Sequence, residues 1–396
     1  MLTVTEVLLI VGILVAMFVG YNIGGATTGP AFGPAVGANV ITKLMAAALM
    51  SIFFFLGAVT IGPNVVTTLG EDLVHTTEIF TMRSNVAVLF FIGGALFVGN
   101  YAGVPASTSM TAVGAIAALG LATDELAWDV LGEIAVWWIV APIIGFWVGG
   151  LVGRYFYPQI NAWVAIEGSR GGSPMVSVDR SSTVPRLQFG ENADRREITG
   201  ALVVVGIGCM MAFSSGTSNI ANAIAPIYGT GDVDMLTLIL IGSAAVTIGC
   251  FTIARRTMET LGNDITNLPL TAAIVVAVIS STIVVALSWI GIPASFVVIA
   301  TMSIIGLGWG RATRTTTISD VRQGEETRVS VGALTAEEEG EQAPEIGEEQ
   351  PEDIPKASDL FDPSTTARVI LMQNVVPIIS TVGAFLTFRF VPIFGF

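Results

Sequence analysis

Charged residues are scarce in this sequence. Asp, Glu, Lys and Arg make up 12% of its 396 residues, whereas about 25% is usual for soluble domains. Hydrophobic residues reach 53% even before the 44 glycines are counted. A water-soluble fold of this size could not bury so much apolar surface. Together with a mean hydropathy of +0.76, the composition predicts a polytopic membrane protein.

Cysteine and histidine are nearly absent. Cys209 and Cys250 lie within apolar stretches, where small buried side chains are expected. The single histidine, His75, has no cysteine cluster near it in sequence and is expected to be a solvated surface residue. The sequence therefore predicts no metal site and no cofactor. It also lacks a Walker loop, and no base–nucleophile pair lies in a hydrophobic run, so neither an ATP-driven pump nor an enzyme is expected.

No dense basic face is present, so nucleic acid is not an expected partner. The net charge of −14 comes largely from one segment, because 14 of the 31 acidic residues lie within 311–366. That segment is also rich in Pro, Gly and Gln around Glu337–Glu339. We expect it to be an acidic, disordered cytoplasmic loop, because it has too few apolar residues to form a core.

Ten hydrophobic runs predict an all-α membrane protein with ten spans. The runs fall at residues 6–21, 40–62, 84–103, 106–122, 131–153, 198–214, 235–254, 270–290, 294–310 and 367–391. Hydrophilic connections occupy 154–197 and 311–366.

The basic residues predict the orientation in the cell membrane. If 154–197 is a cytoplasmic linker, 15 of the 17 Lys and Arg residues lie inside and only Arg83 and Arg389 lie outside, as the positive-inside rule favours. Both termini are then extracellular. Residues 1–20 carry no Lys or Arg before their apolar run, so they are expected to be a retained helix rather than a cleaved signal peptide.

Two short matches indicate an internal duplication. Thr68–Asp72 resembles Thr260–Asp264 at an offset of 192, and Gly103–Ser107 resembles Gly291–Ser295 at an offset of 188. Each half has five predicted crossings, an odd number, so the halves are expected to be inverted repeats, a layout of secondary transporters. The first repeat would be 1–153. The second would be 198–310 and 367–396, interrupted by the acidic loop.

Two Gly-rich or polar segments, 20–37 and 215–231, are expected to be re-entrant or broken and to line a binding site. The alternative is that glycines and small polar residues permit close helix packing and hydrogen bonding between continuous helices. The candidate binding residues in these segments are Thr27, Thr28, Ser215, Thr217, Ser218, Asn219 and Asn222.

The two Gly-x-Pro-Ala-Ser turns predict helix starts, because proline followed by hydroxyl residues is typical of a helix N-terminus. The unpaired N–H groups and the positive dipole end of such a start suit an anion. The alternative is a purely structural cap. The candidates here are Ser107, Thr108, Ser109 and Ser295.

These residues resemble the inorganic phosphate transporter (PiT) family, which includes phosphate and sulfate permeases. That family has a Gly-Ala-Asn-Asp-Val-Ala-Asn-type signature and a Gly-Leu-Pro-Val-Ser-Thr-Thr-His-type turn in each half. Residues 215–226 look like the second signature, 32–37 like the end of the first, and 255–262 and Trp138–Pro142 are also similar. The resemblance covers nearly the whole membrane portion.

The departures from the family pattern concern charge. Thr27 and Asn219 stand where the signatures have Asp, and Ala26 and Ser218 stand at neighbouring Asn positions. A carboxylate can accept the proton of hydrogen phosphate but repels sulfate, so a neutral pocket no longer penalises sulfate. The loss also weakens the case for sodium, because hard cations prefer charged or carbonyl oxygens.

The resemblance implies a permease that moves phosphate by alternating access, while the site chemistry favours sulfate. A coupling cation, sodium or proton, and a homodimer in the lipid bilayer are further expectations of this kind of scaffold. The alternative from another class is a non-transporting membrane sensor that uses 311–366 to bind a partner. Transport that survives deletion of residues 316–360 would favour the transporter.

Overall fold

The computed structural model describes residues 4–37, 39–101, 107–157, 159–160, 176–179, 186–189, 195–254, 270–312 and 363–391. Outside this part of the chain lie most of the linker 154–197, most of the acidic loop 311–366, the copy Thr260–Asp264 of the first repeated motif, and residues 103–106 of the first Pro-Ala-Ser turn.

Each of the ten hydrophobic runs overlaps one long helix, so the prediction of an all-helical membrane protein is confirmed. The long helices are α1 (Val4–Gly37), α2 (Lys43–Thr60), α4 (Met82–Tyr101), α5 (Thr108–Ala122), α6 (Trp128–Leu151), α7 (Arg195–Tyr228), α8 (Met235–Phe251), α9 (Leu270–Trp289), α10 (Phe296–Ala312) and α11 (Pro363–Phe390). A short helix, α3 (Gly62–Thr67), follows α2.

Six helices in the described ranges are long and apolar enough to cross a membrane. Three others, α5, α8 and α10, are apolar but have only 15 to 17 residues. At 1.5 Å per residue these are about 22–26 Å long, which is shorter than the hydrocarbon core of about 30 Å. The linker also contains a feature that the sequence analysis did not predict, an antiparallel strand pair of β1 (Val176–Asp179) and β2 (Arg186–Phe189).

The re-entrant path expected for 20–37 and 215–231 is wrong. Helix α1 runs without a break from Val4 to Gly37, with Pro30 and Pro34 inside it, and α7 runs unbroken from Arg195 to Tyr228. The glycines have another use. A Cβ on Gly24 would collide with the carbonyl oxygen of Val246 on α8, so glycine at this point permits direct backbone packing of α1 on α8.

The same backbone packing joins α2 to α7, and it follows the sequence repeat. Among the glycines that abut a main-chain carbonyl of the opposite half, four make two matched pairs of contacts. Within each matched pair, the two glycines and their two carbonyl partners are both related by the offset that relates Thr68–Asp72 to its copy. The contacts are Gly24 with Val246 and Gly216 with Phe54, then Gly57 with Phe213 and Gly249 with Tyr21. Gly24 and Gly216, which lie within 20–37 and 215–231, are therefore used for helix packing.

Other helix contacts occur in matching pairs. Helix α4 packs on α1 as α9 packs on α7, and α5 packs on α11 as α10 packs on α6. The largest fully buried side chains include Phe32 of α1, Met50 and Phe54 of α2, and Phe388 of α11. The largest apolar cluster extends over helices of both halves.

Candidate functional site

A small cavity lies where the two halves meet. It measures about 30 Å³, on the order of two water positions. It is lined by residues of α1, α7 and the first residues of α5 and α10. The lining residues are Ala26, Thr27, Pro30, Ala31, Thr108, Met211, Ser215, Asn219, Ser295, Phe296 and Val297. All eleven are uncharged, so the polarity of this lining comes only from hydroxyl, amide and main-chain groups.

Two helices begin at this cavity, as the Pro-Ala-Ser turns predicted. Ser107 is the N-cap of α5, with extended backbone (φ −72°, ψ 103°), and its hydroxyl accepts from the Met110 N–H at 3.3 Å. Ser295 precedes α10, and its hydroxyl lies 3.5 Å from the Val298 nitrogen that donates to it. The first N–H groups of a helix lack intrahelical acceptors and carry the positive end of its dipole.

Asn219 is the centre of the polar network beside the cavity. Its Oδ1 accepts from the Thr108 hydroxyl at 2.6 Å and from the Asn222 Nδ2 at 3.1 Å. Its Nδ2 donates to the Ser215 hydroxyl at 3.0 Å. In this orientation the Oδ1 accepts two hydrogen bonds, and the Nδ2 lies at the other end of the amide, beside Ser215. The second N–H of Asn219 and the Ser215 hydroxyl proton are then available to a ligand.

Five of the eleven predicted site residues line the cavity: Thr27, Thr108, Ser215, Asn219 and Ser295. A sixth, Asn222, is fully buried and contacts Asn219, while its own Oδ1 has no hydrogen-bond partner. Thr27 differs from the others in donating its hydroxyl to Ile23 of its own helix at 2.8 Å. Its oxygen is therefore an acceptor toward the cavity.

The other five candidates do not line the cavity. Thr28 donates to the Gly24 carbonyl at 2.7 Å, and its hydroxyl lies 3.2 Å from the Cys250 sulfur. Thr217 donates to the Ser214 carbonyl at 2.8 Å, and Ser107 serves as the cap of α5. Ser109 and Ser218 bond to the backbone before α10. The alternative of hydrogen bonding between packed helices therefore describes several of these side chains.

Sequence reasoning missed the apolar part of the lining. Ala26, Pro30 and Ala31 lie in a segment that was singled out, but none carries a polar group that would mark it. Phe296 is the counterpart of Thr108 when the two Pro-Ala-Ser turns are aligned, so the duplication contained a signal for it. Met211 lies in an ordinary apolar run and gave no signal. In the described ranges, no group of three or more His, Cys, Asp and Glu residues could hold a metal ion.

Comparison with known proteins shows which family this geometry belongs to. The profile of the family described as "Phosphate transporter family" matches residues 23–334. The sulfate permease CysP of Bacillus subtilis is 28% identical over 303 residues, which cover 76% of this chain and 77% of that protein. A provisionally named phosphate permease of Pyrococcus furiosus is 23% identical over 364 residues, covering 77% of this chain and 88% of that protein.

One solved structure has the same fold. It is described as the sodium-dependent phosphate transporter, and its TM-score with this chain is 0.63 at 18% sequence identity. The match covers 97% of this chain and 100% of the other. At that identity the likeness concerns the path of the chain.

Proposed function

This chain belongs to the phosphate transporter family, and we propose that it is a secondary transporter that carries a small inorganic oxyanion, phosphate by family, across the membrane by alternating access. The observation that carries the proposal is the cavity at the meeting point of α1, α5, α7 and α10. Two segments from each half contribute to it. Substrate sites of secondary transporters lie at such repeat interfaces.

The halves are proposed to be inverted repeats. Support comes from the glycine contacts, because the partners of Gly24 and Gly216, which are Val246 and Phe54, are separated by the same sequence offset as the glycines themselves. The exchanged packing of α5 on α11 and α10 on α6 supports the same relation. In such a scaffold, each half can adopt the other's packing, which opens the shared site to opposite sides in turn.

The lining chemistry suits a tetrahedral oxyanion. The Ser215 and Ser295 hydroxyls and the second N–H of Asn219 can each donate to an oxygen of the anion. The starts of α5 and α10 add main-chain N–H groups and two positive dipole ends. No cationic side chain is needed for such a site, because fixed dipoles replace the hydration of the ion.

Sulfate is the second candidate substrate, and a specific observation favours it. All eleven lining residues are uncharged, so no carboxylate in this lining repels a dianion that carries no proton. Hydrogen phosphate, by contrast, requires an acceptor for its own proton, and such acceptors are limited here to groups like the Thr27 and Thr108 oxygens. The similarity to a sulfate permease supports the same candidate.

Uptake by proteoliposomes tests the proposal. The purified full chain would be reconstituted, and uptake of radiolabelled phosphate and sulfate would be compared with empty vesicles under an inward sodium gradient and, separately, under an inward proton gradient. Saturable uptake of either anion is expected, and the gradient that drives it identifies the coupling cation. If neither phosphate nor sulfate is taken up under either gradient, both versions of the proposal are overturned.

A further inference from the structure

In the turn between α9 and α10, residues 291–295 are buried. Ile292, Ala294 and Ser295 are each less than one-tenth exposed. Such a turn has main-chain groups that no helix or sheet pairs, and buried main-chain groups need partners. Gly291, with φ +80°, takes the left-handed conformation that ends α9. The rest of the turn must then find partners elsewhere.

Side chains from three other helices supply these partners. The Ser218 hydroxyl of α7 donates to the Ala294 carbonyl and accepts from the Ala294 N–H, both at 3.1 Å. The Ser109 hydroxyl of α5 donates to the same carbonyl at 3.0 Å. The Trp138 indole of α6 donates to the Pro293 carbonyl at 2.8 Å. The residue that follows Ala294 is Ser295, which lines the cavity.

We propose that Ser109, Trp138 and Ser218 are positioning residues that fix the start of α10 at the oxyanion cavity. The inference rests on the proposed function of that cavity. None of the three lines the cavity, so none is a ligand. They hold the main chain of residues 293–294 in place. The hydroxyl of Ser295 and the first N–H groups of α10 then face the anion in one geometry, which reduces the ordering cost of binding.

The sequence of the other half indicates that hydroxyl donors to the turn before α10 are not a general requirement of the fold. The glycine pairing aligns Ser218 with Ala26, and the alignment of the two Pro-Ala-Ser turns matches Ser109 with Val297. Neither Ala26 nor Val297 has a hydrogen-bond donor in its side chain. The pair of hydroxyls thus serves one of the two turns, the one that leads to Ser295 and α10.

Substitution of the two serines that donate to the Ala294 carbonyl tests the proposal. Ser109→Ala leaves the Ala294 carbonyl one donor, whereas Ser218→Ala also leaves the Ala294 N–H unpaired. In concentration-dependent uptake of phosphate and of sulfate, we expect the half-saturating concentration to rise about threefold for Ser109→Ala and about tenfold for Ser218→Ala. The double variant should exceed the product of the two, because only it leaves the carbonyl without a donor. The maximal rate should change by less than about twofold.

Matched controls separate positioning from stability. Ser280→Ala removes a buried hydroxyl that bonds carbonyls of its own helix, at 2.6 Å to Val276. Trp137→Phe is the neighbour control for Trp138→Phe, which keeps an aromatic ring but removes the indole donor. Both controls should leave the half-saturating concentration unchanged, even where they lower the thermal midpoint of unfolding. Equal effects in controls and test variants would overturn the proposal.

A measurement on the wild-type chain keeps the test independent of variants that fail to fold. Hydrogen exchange of the main-chain amides at 296–298 would be followed by mass spectrometry. The anion that the chain transports, phosphate or sulfate, should slow this exchange. An absence of protection in a chain that transports the anion would overturn the positioning proposal alone. A chain that transports and binds neither anion would instead overturn the proposed function.

Discussion

The side chain of Asn219 illustrates how neutral groups can determine whether a site favours an anion or a cation. Thr108 and Asn222 both donate to its Oδ1, so in this orientation two hydrogen bonds occupy that oxygen. What it offers to the cavity is an N–H group. An anion without a proton can accept a hydrogen bond from this N–H group. A ligand that must itself donate a hydrogen bond has no acceptor on this side chain.

Asn219→Asp should therefore change the preference between the two anions. The carboxylate removes the donor to Ser215 and adds a negative charge, so sulfate uptake should fall by about tenfold or more. Hydrogen phosphate should be less affected, because its proton can be donated to the carboxylate. The ratio of sulfate to phosphate uptake at equal concentrations measures the effect. Asn100→Asp, outside the cavity, is the control, and a ratio that stays the same in Asn219→Asp would contradict the prediction.

Asp234 is a residue whose charge has a structural role outside the membrane-spanning segments. It caps α8, and its carboxylate accepts from the N–H of Thr237 at 2.9 Å and from the Thr237 hydroxyl at 2.8 Å. These bonds hold the pKa of Asp234 below its usual value. Because the folded pKa is depressed, the cap contributes its full stability above the unfolded pKa of about 3.9 and loses it as the pH falls through the folded value.

Asp234→Ala should consequently lower the thermal midpoint of unfolding at neutral pH, because α8 loses its N-terminal cap. The difference from the wild type should shrink once the pH drops below about 4. Thermal unfolding in detergent across a pH series measures it. Asp232→Ala, in the same exposed loop, should have little effect at any pH. A difference that is constant with pH would argue against the carboxylate cap.

The path of α1 and α7 shows how element structure depends on what an element packs against. The glycines and two prolines between Gly20 and Gly37 are typical of a break in an isolated helix. In the folded protein the glycines allow α8 to approach the backbone of α1, and the packing that results keeps the helix continuous. The helix ends that lie near the site are instead the starts of α5 and α10.

Gly216→Ala tests the packing of α7 on α2. A Cβ at Gly216 would collide with the Phe54 carbonyl, which cannot move without shifting α2, so the substitution should lower the free energy of unfolding by about 1–3 kcal/mol. Gly206→Ala on the same helix has no atom within 4 Å of the new methyl group and should be neutral or stabilising by up to about 1 kcal/mol. Equal thermal midpoints for the two variants would rule out close packing at Gly216.

On the scale of the whole molecule, the two halves make matching backbone contacts at these glycines although the residues in contact differ. Gly249 abuts the Tyr21 carbonyl as Gly57 abuts the Phe213 carbonyl, although the aromatic residue is tyrosine in one contact and phenylalanine in the other. Residues at such points are constrained by backbone approach rather than by side-chain chemistry. The polar residues around the cavity are not constrained in this way, and there the halves differ, with Thr27 opposite Asn219 and Phe296 opposite Thr108.

The orientation in the membrane remains a prediction that labelling can decide. In a background with Cys209→Ala and Cys250→Ala, Leu2→Cys and Phe396→Cys should react with a membrane-impermeant maleimide in intact cells. Ser182→Cys, in the predicted cytoplasmic linker, should react only after permeabilisation. Labelling of one terminus but not the other would require an odd number of crossings, and labelling of Ser182→Cys alone would reverse the topology.

Hydropathy determined much of this protein without any tertiary information. Each of the ten apolar runs predicted a long helix that the described ranges contain, because segments that cross a bilayer must satisfy their own backbone hydrogen bonds. Local chemistry also placed the starts of α5 and α10, since Ser107 and Ser295 act on main-chain N–H groups within one turn of themselves. Both kinds of signal are local, so the sequence contains them in full.

Only the tertiary structure decided which polar residues face the cavity. Ser215 and Ser218 lie one turn apart on the same helix, yet the first lines the cavity and the second bonds to Ala294. That difference depends on the turn before α10, which α8 and α9 separate from α7 along the chain. The sequence therefore determined the helices and the kinds of group available, whereas the crossing of distant backbones at glycines decided where each group points.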